Sequence, residues 1–426
     1  MKIVRMHSFL HIFLLLSLLL SVGLLFAACQ KEEHPPIKIG ILHSLTGTMA
    51  TSAKPVVDAT LLAIEEINNR GGVLGRQLIP LIADGKSDPA TFAKVAERLI
   101  TQDKVAALFG CWTSACRKAL KPVVEKYNNV LFYPLQYEGF EQSDNIIYTG
   151  ATANQQVIPA ISWAAEHLGK RLYLIGSDYI FPHAVNWIIK KQAALLGLTI
   201  VGEAYLPLGS TTVEPIITDI MVKKADVVIN AINGDSNNSF FHALAMAGLS
   251  ATKLPVLSFS IGETALASMP NSEDLNGHYA AWSYFQSLKN PENSAFVAAF
   301  KQRFGADRVI SDPMATAYFS VLLWAQIVNS RDSVNVDSII DSLKSQSISS
   351  PEGVIATDFD NHHTWRKMRI GRVNKQNQFD IVWESGHLIA PHPYPLQILP
   401  SDGEQMINQY YKAWGHSWVA PKKDAK

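Results

Sequence analysis

Four short segments carry most of the residues able to do chemistry, and each follows an apolar run that reads as a strand. They are Gly110-Cys111-Trp112-Thr113-Ser114, Pro134-Leu135-Gln136-Tyr137-Glu138-Gly139, Gly176-Ser177-Asp178-Tyr179-Ile180-Phe181-Pro182 and Ile232-Asn233-Gly234-Asp235-Ser236. Hydroxyls, carboxamides, carboxylates and flat rings of this kind can hold a polar molecule by hydrogen bonds between aromatic walls. Ser114 opens an expected helix, whose free backbone N–H groups suit a carbonyl oxygen or other partial negative charge; a plain N-cap role for the same serine is compatible with this. Any one segment alone is ordinary turn chemistry. Four at strand ends, from both halves of the chain, point to one site. Covalent and metal chemistry have no such support: the chain lacks G-x-S-x-G, H-E-x-x-H, C-x-x-C, P-loop and G-x-G-x-x-G motifs. It therefore reads as a non-enzyme without cofactor or metal. His362-His363, adjacent on a turn, point in two directions and read as surface histidines. Cys111 and Cys116 stand five apart across a strand-to-helix turn, where their side chains would diverge, and both read as buried thiols.

Positioning these segments takes an alternation of strand and helix. The apolar pattern predicts strands at 37–42, 77–83 and 105–109 with helices at 56–69, 91–102 and 114–127 between and after them. The rhythm restarts after Ala151, with strands at 171–175, 199–205, 227–231 and 255–258 and helices near 155–168, 183–196, 212–224 and 236–248. Helices near 292–304, 312–330 and 336–345 follow, then strands at 367–373 and 379–383 that complete sheets already begun, and a proline-dotted stretch, APHPYPLQILP. Strands separated by helices imply parallel sheets. The fold class is therefore α/β, with two doubly wound parallel-sheet lobes and a ligand cleft between the carboxyl ends of their strands.

Composition agrees with a folded, two-lobed chain: 48% of its 426 residues are hydrophobic and 17% charged, which is ample apolar surface to bury and too much chain for one core. Lys+Arg and Asp+Glu balance at 37 each, which excludes the electrostatic footprint of a nucleic-acid binder and favours a small uncharged or locally neutralised ligand. The amino-terminal MKIVR and the apolar run up to Ala27-Ala28 before Cys29 match a secretory signal with a lipoprotein cleavage box. Residues 1–28 are thus expected to be removed. Lipid on Cys29 would then hold the protein on a membrane surface, in the periplasm or on the cell surface.

The segments ILHSLTGTMA, DATLLAIEEIN, GGVLGRQL, FGCWTSACRKA, FYPLQYEGFE, YTGATANQQ, GSDYIFP, NGDSN, GHYAAWSYFQS and NHHTWRKMRIG resemble the urea- and short-chain-amide-binding branch of the type I periplasmic binding proteins. That branch includes the substrate-binding protein of the urea ABC transporter and a cytoplasmic amide sensor. The resemblance spans about residues 36–395. It implies a type I periplasmic-binding-protein fold with a three-crossing hinge: lobe 1 at 37–150 plus about 281–350, lobe 2 at 151–280 plus about 351–395, a linker at 29–36 and a tail at 396–426. It also implies ligand contacts from Trp112, Ser114, Gln136, Tyr137 and Glu138 in the first lobe and from Tyr179 and Phe181 in the second. Where the amide sensor has Thr-Pro, this chain has Leu135-Gln136, and its Gln-Tyr-Glu and Asn-Gly-Asp-Ser forms resemble the urea carriers.

Urea presents four N–H donors and one carbonyl acceptor, so a selective pocket needs acceptors on two sides, a donor to the oxygen and flat walls. Asp235 and Glu138 are the candidate acceptors, Ser114 the candidate donor, Trp112, Tyr137 and Tyr179 the candidate walls, and Gln136 can serve either side. The expected function is capture of urea or a short-chain amide and its delivery to an ABC permease. An extracytoplasmic sensor feeding a signalling partner is the alternative, and an exported amide hydrolase is disfavoured by the missing motifs.

Overall fold

β1 (Ile37–His43) is buried at six of its seven positions, as a strand covered by helices on both faces must be. In the computed structural model, which describes residues 35–358 and 360–421, it lies inside a five-stranded sheet. Along the chain follow α1 (Ala50–Asn69), β2 (Leu78–Asp84), α2 (Pro89–Thr101), β3 (Leu108–Gly110), α3 (Ser114–Lys126), β4 (Leu131–Tyr133) and β5 (Ile146–Tyr148). The order β2-β1-β3-β4-β5 is parallel throughout. Asp88 starts α2 by accepting from the Thr91 amide, with Pro89 at the first helical position, where a missing N–H costs nothing. The helix expected from 56 begins instead at Ala50 and runs through Pro55.

A second sheet follows, built from α4 (Ala153–His167), β6 (Arg171–Ser177), α5 (Ile180–Leu196), β7 (Thr199–Leu206), α6 (Glu214–Lys223), β8 (Val227–Ala231), α7 (Ser236–Met246), β9 (Val256–Ser258), α8 (Glu263–Ser268) and β10 (Tyr279–Trp282). The chain then returns to the first core through α9 (Pro291–Phe304), α10 (Asp312–Arg331) and α11 (Val336–Ser342), whose Phe296, Trp324 and Ile339 pack with Ile39, Phe109 and Phe132. A three-stranded antiparallel sheet, β11 (Ser347–Ser350), β12 (Gly353–Thr357) and β13 (Thr364–Trp365), leads back to β14 (Arg369–Val373) and β15 (Phe379–Glu384). These last two add antiparallel strands to the second sheet, whose order is β15-β14-β10-β9-β8-β6-β7.

Leu172, Leu174 and Ile188 fill one core against this sheet, and Tyr173, Ile175 and Phe240 fill another. The chain is therefore α/β with two lobes and passes between them three times: after β5, after β10 and through β11–β13. Sequence patterning misses β10 and the small sheet, which are too short for a period to register. Beyond 396, in the stretch expected as a tail, stands α12 (Pro400–Ala413), with Met406 and Ile407 buried in the second lobe. The leader and Cys29 lie outside the described residues. Among those described, no helix is long and apolar enough to cross a membrane.

Candidate functional site

β3 ends at Gly110, whose φ of 144° and whose closeness to the Leu42 carbonyl exclude any side chain. The chain then turns through Cys111-Trp112-Thr113 into α3. Thr113 caps that helix, its hydroxyl accepting from the Cys116 amide at 3.2 Å. Ser114 is thereby spared the cap role and faces inward. Cys111 and Cys116 are joined in a disulfide, which corrects the expectation of two free thiols. The expectation applied helical side-chain directions to a residue that precedes the helix. Cys111 still belongs to the loop, so the turn brings the two Cα atoms to 6.4 Å, within disulfide span.

Trp112 is buried between the lobes, with its Nε1 donating to Asn233 Oδ1 at 3.4 Å across the cleft and its carbonyl accepting from the Tyr133 hydroxyl at 2.9 Å. Gln136 makes a second link, donating from Nε2 to the Phe259 carbonyl at 2.8 Å. That bond fixes the orientation of the carboxamide, because the reverse would set two acceptors against each other. Gln136 Oε1 is left buried with no partner among the described residues. The Ser236 hydroxyl is likewise buried with no partner among the described residues, and Asn233 is held by its amide donating to Ser177 Oγ at 2.9 Å. Asp235, exposed at the start of α7, lines a cavity of about 30 Å³ with Thr51, Trp112, Asn238, Ser260 and Thr264.

The carboxylates and the serine of the first lobe are otherwise engaged. Glu138 accepts from Arg117 Nη2 at 2.9 Å through one oxygen and from Ser114 Oγ through the other, and Arg117 Nη1 also reaches Ser114 Oγ at 3.0 Å. Glu141 takes Arg117 Nε at 2.8 Å and Lys118 Nζ at 2.9 Å. Burial works against the Arg117 charge, but Glu141 and Glu138 outweigh it and hold its pKa well above the ordinary guanidinium value. Burial likewise pushes Glu141 up, and Arg117 and Lys118 overcome it and hold the carboxyl far below the usual range. Two cations meet two anions, and the cluster is neutral.

Tyr137 lies away from the cleft, stacked on Tyr148 and His363 and covered by Arg117. Tyr179 is buried within electrostatic reach of Tyr133 and Glu138; burial first, and those neighbours second, keep its phenol protonated. Phe181 is buried in the second lobe's core, its ring 6.3 Å from that of Tyr179. The structure thus brings Trp112, Gln136 and Asp235 to the seam between the lobes, ties Ser114 and Glu138 to Arg117 beneath it, and sets Tyr137 in the hinge and Phe181 in a core. Asn233, Ser236, Ser260 and Arg117 join the site without having been singled out by type. Asn233 and Ser236 flank Asp235 in sequence, and Arg117 lies one helical turn after Ser114, which is the signal available for them.

A model of the periplasmic binding protein domain matches residues 37–399. A "Leu/Ile/Val-binding protein homolog 8" of Brucella abortus is 22% identical over 84% of this chain and 90% of its own. A solute-binding protein of an ABC transporter from Rhodopseudomonas palustris HaA2, solved with p-hydroxybenzoic acid, superposes with a TM-score of 0.75 at 22% identity over 85% of this chain and 99% of its own. A 135-residue stretch is 39% identical to part of a Geobacillus stearothermophilus protein named limonene hydroxylase; the match spans 32% of this chain and 25% of that protein.

Proposed function

The chain belongs to the periplasmic binding protein family, and on that premise we propose that it is an extracytoplasmic solute receptor for urea or a short-chain amide. In this reading the protein is anchored through lipid on Cys29 and delivers its solute to an ABC permease. The relatives above that align over most of this chain are named as binding proteins, which supports capture over turnover.

The observation that carries the choice of ligand is Gln136. Its Oε1 is a neutral acceptor, oriented by the Phe259 bond and buried at the seam with no partner among the described residues. A buried acceptor left unmet costs about 1–3 kcal/mol, so the site favours a solute that brings an N–H to it. Arg117, the buried cation beneath the seam, already holds Glu138 and Glu141, which leaves it poorly suited to a ligand carboxylate. Amino acids and aromatic acids both bring a carboxylate. Urea brings none and supplies N–H groups on two sides, facing Gln136 and the Asn233–Ser236 segment, while its plane suits the Trp112 ring. Closure then works by differential affinity: the solute binds groups of both lobes at once only when they meet.

Calorimetric titration of the chain from Gln30 onward with urea, acetamide, leucine and p-hydroxybenzoate tests this reading. Binding of urea ahead of acetamide, with no heat from the two carboxylates, is expected. Saturable binding of leucine or p-hydroxybenzoate without urea would overturn it.

A further inference from the structure

The family match ends at residue 399, yet the chain continues in ordered contact with both lobes. Its helix α12 buries Met406 and Ile407 in the second lobe and closes an aromatic group around His183 of α5, with Tyr410 at 4.6 Å and Trp414 at 5.0 Å. Gly403 is where α12 meets the first lobe's site loop: a Cβ there would stand 2.0 Å from the Phe140 ring. Just before the helix, the Pro393 carbonyl accepts from the Phe140 amide at 2.7 Å. After it the chain becomes extended and pairs antiparallel with the residues that carry a candidate ligand wall, Val419 standing opposite Tyr179. The Ile180 amide donates to the Trp418 carbonyl at 3.0 Å, and the Ala420 amide to the Asp178 carbonyl at 3.1 Å. The Trp418 ring then spans to the other lobe, lying 4.9 Å from Lys118 Nζ on α3, the same ammonium that holds Glu141, and it stacks on Tyr411 at 4.2 Å.

We propose that residues 400–420 are an inter-lobe strap, with Trp418 as the positioning residue that fixes Tyr179 in the second lobe and ties it to Lys118 in the first. The backbone pairing holds Asp178–Ile180 in the conformation that turns Tyr179 toward Tyr133 and Glu138. The ring contact with Lys118 adds attraction between lobes, since a cation over an indole face is favourable and more so out of water. Any opening that separates α3 from α5 parts Trp418 from Lys118. The strap therefore biases the molecule toward the closed arrangement, and ligand affinity rises with the fraction of molecules competent to hold it. Its effect on affinity rests on the solute-binding reading above; its effect on Tyr179 does not.

Three variants of the chain from Gln30 onward test it: Trp418→Ala, a chain ending at Trp414, and Trp418→Phe. Circular dichroism establishes that each is folded, and two quantities are read: urea affinity and hydrogen exchange at the Ile180 amide without ligand. Trp418→Ala is expected to raise the urea dissociation constant about fivefold and to speed Ile180 exchange, the shortened chain to do both more strongly, and Trp418→Phe to recover most of each, as a loss of competent fraction requires. Unchanged exchange, or unchanged affinity with faster exchange, in Trp418→Ala and the shortened chain would overturn the strap. Should the unaltered chain not take urea, the ligand reading falls, and Ile180 exchange alone decides the strap.

Discussion

Two fully buried arginines each grip two carboxylates, and the other charged groups around them differ. Arg117, beside the cleft, meets Glu138 and Glu141 with Lys118 alongside. Arg366, in the third crossing between lobes, meets Asp312 at 3.2 Å and Glu352. Near Asp312 lies Glu263, wholly buried at the start of α8, accepting from the Gln286 amide at 2.7 Å and, among the described residues, making no ion pair. The balanced cluster keeps its charges, so Arg117 is held up and Glu141 down. In the unbalanced one, burial raises Asp312 to about 6 against the pull of Arg366, and burial with Asp312 nearby raises Glu263 to about 8. One region uses its charges in internal pairing and leaves neutral dipoles at the seam; the other stores a proton in the hinge.

The largest effect that would break this contrast is at Arg117. Arg117→Met removes one side of a buried pair set and leaves Glu138 with no cation in hydrogen-bonding contact, which costs about 3–5 kcal/mol. Differential scanning calorimetry should show a melting temperature lower by several degrees. A melting curve matching the unaltered chain would mean that the cluster is hydrated and contributes little.

The second effect is a pH dependence on the alkaline side of about 4.5, set in the hinge by Glu263 rather than by the acids of the cleft cluster. Glu263 titrates near 8 in the folded chain against 4.5 ordinarily, so the folded state holds a proton that the unfolded state has released. Stability from this group is complete below about 4.5 and is lost as pH rises toward 8, on the order of a few kcal/mol. Glu263→Gln keeps the shape of the protonated acid and should flatten this slope, gaining stability at pH 8 and little at pH 5. Thermal melts across that range decide it. An identical slope in the variant would place the titration elsewhere.

How far the sequence disclosed this arrangement follows from what each feature depends on. Periodicity revealed β1, β6 and β8 and the helices between, because a strand covered on both faces must be apolar throughout. The strand-end loops pointed to Trp112 and Gln136 at the seam, since the carboxyl ends of parallel strands open onto the space between the lobes. Glu138 was legible as a candidate acceptor in the site loop, but its burial and engagement by Arg117 were not, because a bond between α3 and a loop 21 residues on is set by tertiary packing. The same holds for Tyr137, which stacks on a histidine 226 positions away. Cys111 and Cys116 failed for a local reason: helical side-chain directions hold for Cys116 but not for Cys111, which lies in the loop before α3, where the turn can bring the two together.

The smallest effect is the one that sharpens the contrast most, because it concerns a neutral group. Gln136→Leu keeps approximate volume and removes both the acceptor left open at the seam and the bond to the Phe259 carbonyl. An N–H of bound urea would lose its partner, at about 1–3 kcal/mol, or roughly tenfold in affinity. Loss of the Phe259 link alone weakens closure for any solute, so the comparison needs Gln136→Glu, which keeps an acceptor oxygen and loses the donor. If the open acceptor is what holds the solute, urea affinity falls further in Gln136→Leu than in Gln136→Glu at neutral pH, while the ligand-free melting temperatures of both stay closer to the unaltered chain than that of Arg117→Met. If the two variants lose urea equally, the bond between lobes is the contribution of Gln136, and the open acceptor must be sought among Asn233, Ser236 and Asp235.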